Sequence, residues 1–151
     1  LLQIDDAMIE IKQVEEITPD VVNAFSVLIP QLSPDSDIPT QEYLEQLISI
    51  SGNYVFVAVA PQIVGSLTLV VMQTPSGAKA WIEDVVVDST ARGLGVGAAL
   101  VAEAIDFAKR LHVSSINLTS RPDRVSANKL YQRLGFQLRD TNVYRLTIDK
   151  D

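Results

Sequence analysis

The stretch Arg92-Gly93-Leu94-Gly95-Val96-Gly97 joins a run that reads as a strand, Lys79–Val87, to one that reads as a helix, Gly97–Leu111. Alternate glycines at such a junction leave a chain few options. Without Cβ atoms, successive N–H groups can turn to one side and a ligand can approach the main chain closely. The helix adds its unbonded first N–H groups and the positive end of its dipole. Ala98, Ala99 and Leu100 fill the first helical turn, where Asp or Glu is usual, so no carboxylate repels an anion there. The dipole contributes only about 0.3–1 kcal/mol per charge. Direct N–H bonds to charged oxygens, at ~1.5–3 kcal/mol each, must carry most of the affinity.

Two familiar phosphate loops compete for this segment. A P-loop is excluded, because no Lys-Ser/Thr follows the glycines. Gly93-Leu94-Gly95-Val96-Gly97-Ala98 does fit the dinucleotide pattern G-x-G-x-x-A. In that fold, however, the first glycine follows its strand at once, whereas here Asp88–Arg92 intervenes. No acidic residue ends the next strand near Leu118 to hold a ribose.

Residues 9–14 read as a first strand. Thr18-Pro19-Asp20 starts a helix with Thr18 as cap, and Pro30–Pro39, with three prolines, reads as a loop. Thr40 caps a second helix. Tyr54–Ala60, Ile63–Met72 and Lys79–Val87 are β-rich runs separated by short turns, which suits an antiparallel meander. After the glycine-rich helix come a strand at Ser115–Thr119, a helix at Arg124–Leu134 closed by Gly135, and final strands at Phe136–Leu138 and Val143–Ile148. No repeat or linker divides the chain, so residues 1–151 are expected to form one domain of the α/β (α+β) kind, a mixed sheet with helices on both faces.

Composition narrows the function. With no cysteine, disulfides, thiolate metal sites and a catalytic thiol are all excluded, which fits a cytoplasmic setting. A net charge of −7 argues against nucleic-acid binding. No apolar run approaches the ~20 residues of a membrane span. Asp5, Asp6 and Glu10 interrupt any secretory leader. His112 is the sole histidine, which rules out a multi-histidine metal site; next to a helix end it reads as a cap.

The segment Trp81–Phe136 resembles the GNAT superfamily of N-acetyltransferases. Arg92-Gly93-Leu94-Gly95-Val96-Gly97 matches the family's Q/R-x-x-G-x-G/A signature. Ser126-Ala127-Asn128-Lys129-Leu130-Tyr131-Gln132-Arg133-Leu134-Gly135-Phe136 matches its A-x-x-L-Y-x-x-L-G-F segment. The resemblance implies a mostly antiparallel sheet of six to seven strands and acetyl-CoA as co-substrate, with no metal. It implies that backbone groups of Val85, Val86 and Val87 pair with the pantetheine arm and that the amides of Arg92–Ala98 hold the pyrophosphate. Asn128 would contact the cofactor and Tyr131 would lie near its sulfur. A main-chain N–H near Val86 or Val87 would polarise the thioester. A homodimer is also compatible with the family.

Acetyl transfer to an amine then sets two proton problems. A primary ammonium, with a pKa near ~10.4, must lose a proton before it can attack, which costs ~4–5 kcal/mol at pH 7. The leaving thiolate gains from a proton donor. Tyr131 is the expected general acid. Glu83 and Asp84, which interrupt the apolar run Trp81–Val87, are the expected bases, with Glu83 favoured. Adjacent strand residues point to opposite faces, so only one should meet the acceptor. Ile-Glu-Asp-Val-Val-Val is similar to a stretch at the acceptor site of amino-sugar acetyltransferases in this superfamily. Without a cysteine nucleophile, transfer should be direct, in a ternary complex with a small-molecule amine. The alternatives are a protein or peptide amine as acceptor, and a non-catalytic acetyl-CoA sensor.

Overall fold

β-branched and aromatic residues crowd the runs after residue 53, and the tight turns between them favour pairing in sequence order. In the computed structural model, which describes residues 8–149, five strands form one sheet in the order β1-β2-β3-β4-β5. β1 (Glu10–Gln13), β2 (Asn53–Val59), β3 (Ile63–Thr74) and β4 (Gly77–Val87) are antiparallel neighbours. β5 (Ile116–Asn117) joins β4 in parallel. The sheet lies in a compact unit ending at Thr119; a second unit begins at Ser120.

In the first unit, α1 (Pro19–Leu32) and α2 (Gln41–Ser49) begin where the sequence marks them. Thr18 Oγ1 accepts from Val21 N–H at 3.3 Å, and Thr40 Oγ1 accepts from Tyr43 N–H at 3.0 Å. Both helices pack on one sheet face, where Val21, Phe25 and Leu44 form a cluster with Val55 and Val57. α3 (Val96–Arg110) covers the other face, with Phe107 4.7 Å from Tyr54 and 5.3 Å from Phe56 between ring centroids.

The loop expected from Pro30 starts later, because α1 runs through Pro30 to Leu32. A proline inside a helix costs ~3 kcal/mol. Burying Leu28, which is 1% exposed, and much of Ile29 offsets this at ~1.5–3 kcal/mol for each fully buried side chain. Ser33 N–H then closes the helix on Ile29 O at 2.8 Å. The extra turn brings Gln31 into play, as described below.

Gly65 explains how α3 approaches the sheet so closely. A Cβ built there would lie 3.0 Å from Val96 Cγ1, 3.1 Å from Val86 O and 3.2 Å from Leu100 Cδ1. The first turn of α3 therefore sits directly on the β3–β4 ladder.

In the second unit, α4 (Val125–Arg133) ends as the glycine predicts. Gly135 has φ 103°. Its N–H donates to Gln132 O at 3.1 Å, and Phe136 N–H donates to Tyr131 O at 2.9 Å. These two bonds make a Schellman cap. The strands expected at Phe136–Leu138 and Val143–Ile148 are not formed among the described residues, so the sheet has five strands rather than six or seven. The alternating apolar pattern there is real, but a strand exists only through a ladder partner, and these segments make no ladder bonds.

Candidate active site

β4 carries a bulge at the point where the sequence places two acids. Thr68 pairs with Glu83 and Ser66 with Val86, so Leu67 alone faces both Asp84 and Val85. Asp84 adopts φ 52°, the left-handed region, inside a strand. The hydrogen bonds record the resulting change of phase. Before the bulge, Ala80 N–H donates away from β3, to Ser115 O at 2.9 Å; after it, Asp88 N–H donates toward β3, to Val64 O at 2.8 Å. Even-numbered residues thus turn their main chain outward up to the bulge, and odd-numbered ones beyond it. Val85 and Val87 face the outer edge, while Val86 serves the ladder with Ser66. β5 pairs only with Ala80 and Trp81, so from Ile82 onward this edge of β4 has no strand beside it among the described residues.

The bulge puts Asp84 outside the regular strand alternation on which the expectation of opposite faces for Glu83 and Asp84 rests. Both are exposed, between buried Ile82 and Val86. By register, Glu83 shares the face of Thr68 and Val55, the face that α1 and α2 cover. Partial burial, and then the negative charge of Asp84, push the Glu83 carboxyl above the usual carboxylate range. The ion pairs among the described residues are Lys12–Glu10 and Arg110–Glu103, so neither acid is bound to Arg92. Arg92 instead donates from Nε to Val87 O at 3.2 Å.

The glycine-rich loop follows. Asp88 accepts from Thr90 N–H and Oγ1, both at 2.9 Å, and caps a 3-10 turn at Ser89–Ala91. Those bonds hold its carboxyl below the ordinary range. Gln31 Oε1, at the end of α1, accepts from Ser89 N–H at 2.9 Å and fixes the entry to the loop. Nothing in the local sequence pattern marked Gln31; its signal was the helix extending past Pro30. Gly93 and Gly95 take φ 79° and 87°, and Gly95 is the N-cap of α3 with no side-chain cap bond. Among the described residues, no backbone or side-chain acceptor takes the amides of Gly93 to Ala98; Ala99 N–H is the first to bond, to Gly95 O at 3.0 Å. Gly93 and Gly95 are exposed and a Cβ at Gly93 would touch nothing within 4 Å, so the loop is open to solvent. Six consecutive donors at a helix's positive end fit a diphosphate.

The second unit holds Asn128 and Tyr131 on one helix. Asn128 Nδ2 donates to Arg121 O and Arg124 O, both at 2.8 Å, leaving Oδ1 as the group that can meet a ligand. Tyr131 is held through its carbonyl by the cap, and its ring meets Phe136 edge-on at 5.9 Å. Burial raises the Tyr131 hydroxyl pKa, with Arg124 pulling the other way, so the group stays protonated at neutral pH. Ser120 Oγ is buried without a partner among the described residues. His112 is exposed, with φ 57°, in the position after the α3 cap, where its N–H donates to Lys109 O at 3.2 Å. Among the described residues no helix is long and apolar enough to cross a membrane, and no group of three potential metal ligands occurs.

A bulged meander strand, an open strand edge and a glycine-rich helix entry thus occur together among the described residues, and comparison with known proteins gives the family. Residues 19–136 match the Acetyltransferase (GNAT) family, and the chain belongs to it. An aminoglycoside acetyltransferase from an uncultured soil metagenomic sample shares the fold at a TM-score of 0.79 and 22% identity, over 96% of this chain and 99% of that one. Glucosamine-6-phosphate N-acetyltransferase from Arabidopsis thaliana does so at a TM-score of 0.75 and 21% identity, over 91% and 98%. N-acetylaspartate synthetase from Xenopus tropicalis is 43% identical over 51 residues, 34% of this chain. The match spans 19% of that relative's length.

Proposed function

We propose that the chain, acting as one domain, transfers acetyl from acetyl-CoA directly to the primary amine of a small molecule. The observation that carries this reading is the row of unbonded amides from Gly93 to Ala98 beside an unpaired edge of β4. The amides hold the diphosphate, and the outward main chain of Val85 and Val87 pairs with the extended arm. Asn128 Oδ1 accepts from the cofactor. Bound acetyl-CoA supplies an activated thioester; the chain supplies position and proton control. Glu83, a stronger base than a free carboxylate, takes the ammonium proton, and Tyr131 Oη donates one to the departing sulfur. The relatives whose names state an acceptor act on aminoglycosides, an amino-sugar phosphate and aspartate, all small amines, which supports that acceptor class.

The test is calorimetric titration with acetyl-CoA, followed by thioester consumption over a panel of amino sugars, polyamines, amino acids and peptides. Saturable binding with turnover on a small amine is expected. Turnover on peptides alone would move the acceptor to proteins, and binding without turnover on any amine would make the chain a sensor.

A further inference from the structure

The run from Asp88 to Ala98 begins with a fixed part and ends with an open one. The N–H groups of Asp88, Ser89, Thr90 and Ala91 are all bonded, whereas those of Gly93 to Ala98 meet no acceptor among the described residues. Three of the four bonds end on β3 or on the turn itself, at Val64 O, Asp88 Oδ1 and Asp88 O. The fourth comes from another layer of the fold: Ser89 N–H donates to Gln31 Oε1 at 2.9 Å, at the end of α1. Gln31 Nε2 donates to Val27 O at 3.2 Å on its own helix, which settles the end of the amide that faces Ser89. The Asp88 carboxyl, held low chiefly by Thr90, is lowered further by a hydrogen bond from the same Gln31 side chain. A helix that stopped at Pro30 would not present Gln31 at all. α1 packs on the sheet face that Glu83 shares by register.

We propose that Gln31 is a positioning residue that joins the acceptor-side helix α1 to the cofactor loop, so that acetyl-CoA on the loop amides also restrains the end of α1. The inference rests on the proposed acetyl transfer for what each side binds. A diphosphate held by Gly93–Ala98 restrains the loop. The tight turn Ser89–Ala91 passes that restraint to Ser89, and the Gln31 amide passes it to α1. By linkage, an acceptor that holds the end of α1 tightens acetyl-CoA by the same factor.

Two substitutions remove the bond from opposite sides. Gln31→Met keeps the length of the side chain without its acceptor. Ser89→Pro removes the donor at the first position of the 3-10 turn, where proline fits; Asp88 before it already has φ −52° and ψ 139°. By calorimetry, acetyl-CoA Kd should rise ~3–10-fold in each, as for one hydrogen bond, and no further in the double variant, because both changes delete the same contact. Val21→Ala, a cavity in the same helix, should lower Tm and leave Kd unchanged. In the parent, acetyl-CoA should slow amide hydrogen exchange ~3-fold or more at Ser33, whose N–H closes α1; in Gln31→Met it should not. Parental Kd in Gln31→Met, losses that multiply in the double variant, or slowed exchange that survives Gln31→Met would each overturn the proposal. An equal loss of affinity in Val21→Ala would too, by assigning the effect to helix stability. Should Gln31→Met fail to fold, Ser89→Pro makes the same comparison of Kd and exchange. If the parent binds no acetyl-CoA, the proposed function and this link fall together; if it binds and the variants match it, the link alone falls.

Discussion

Gly65→Ala is a test of how the loop amides are held in place, because the substituted residue touches no ligand. The added Cβ would lie 3.0 Å from Val96 Cγ1, 3.1 Å from Val86 O and 3.2 Å from Leu100 Cδ1, where carbon contacts ordinarily settle at ~3.5–4.0 Å. The Val86 carbonyl belongs to the ladder and has little room to yield. Val96 and Leu100 are 1% and 0% exposed and cannot rotate into solvent. What moves is the first turn of α3, by a few tenths of an ångström. Overpacking of this kind costs ~1–3 kcal/mol, offset by ~0.4–1 kcal/mol from the less flexible unfolded chain. The net loss of ~0.5–2 kcal/mol lowers Tm by a few degrees in a chain of this size. The same shift misaims the amides of Gly93–Ala98. If two bonds of ~1.5–3 kcal/mol each lose about a third of their strength, binding falls by ~1–2 kcal/mol, and acetyl-CoA Kd rises roughly tenfold. Calorimetry on the parent and on Gly65→Ala measures this. Leu44→Ala, a cavity in the opposite helix layer, serves as a control with lowered Tm and unchanged Kd. Acetyl-CoA binding in Gly65→Ala at parental strength, or an equal loss in Leu44→Ala, would refute the idea that the seat of α3 on β3 aims the loop.

Glu83→Gln should lower kcat by ~100-fold or more and remove the acidic limb of the pH–rate profile; in the parent that limb lies above the ordinary carboxylate pKa, since the raised value keeps the base protonated to higher pH. A carboxyl raised on folding contributes stability that is present below its unfolded pKa and lost as pH rises through its folded pKa, so at neutral pH Glu83→Gln should melt higher than the parent. Tyr131→Phe should cut kcat ~100-fold while acetyl-CoA Kd, measured by calorimetry, changes little.

Much of this architecture was legible because local signals and tertiary structure agree. Thr18, Thr40 and Gly135 mark helix ends through caps that depend only on neighbouring residues, and all three appear in place. The glycine-rich loop was legible for the same reason. What escaped was set by distant partners. Pro30 signals a break, yet α1 continues because Leu28 is buried against other elements. Gln31 meets Ser89, 58 residues away. The bulge at Asp84 was hidden because alternation was assumed to persist; a polar pair inside an apolar strand was its only mark. Gly65, within a strand-like run, could have been read as a site of close helix approach. The final strands were overcalled because periodicity reports a pattern, not a ladder partner.

The unpaired edge of β4 has an implication for drift. Groups offered by the main chain are identical in every residue except proline, so the recognition proposed there would constrain the path of the backbone and leave the side chains of Val85 and Val87 free to vary. A glycine under a helix, such as Gly65, is the kind of position on which that path depends. Such economy is consistent with a fold shared at a TM-score of 0.79 by chains alike at 22% of positions.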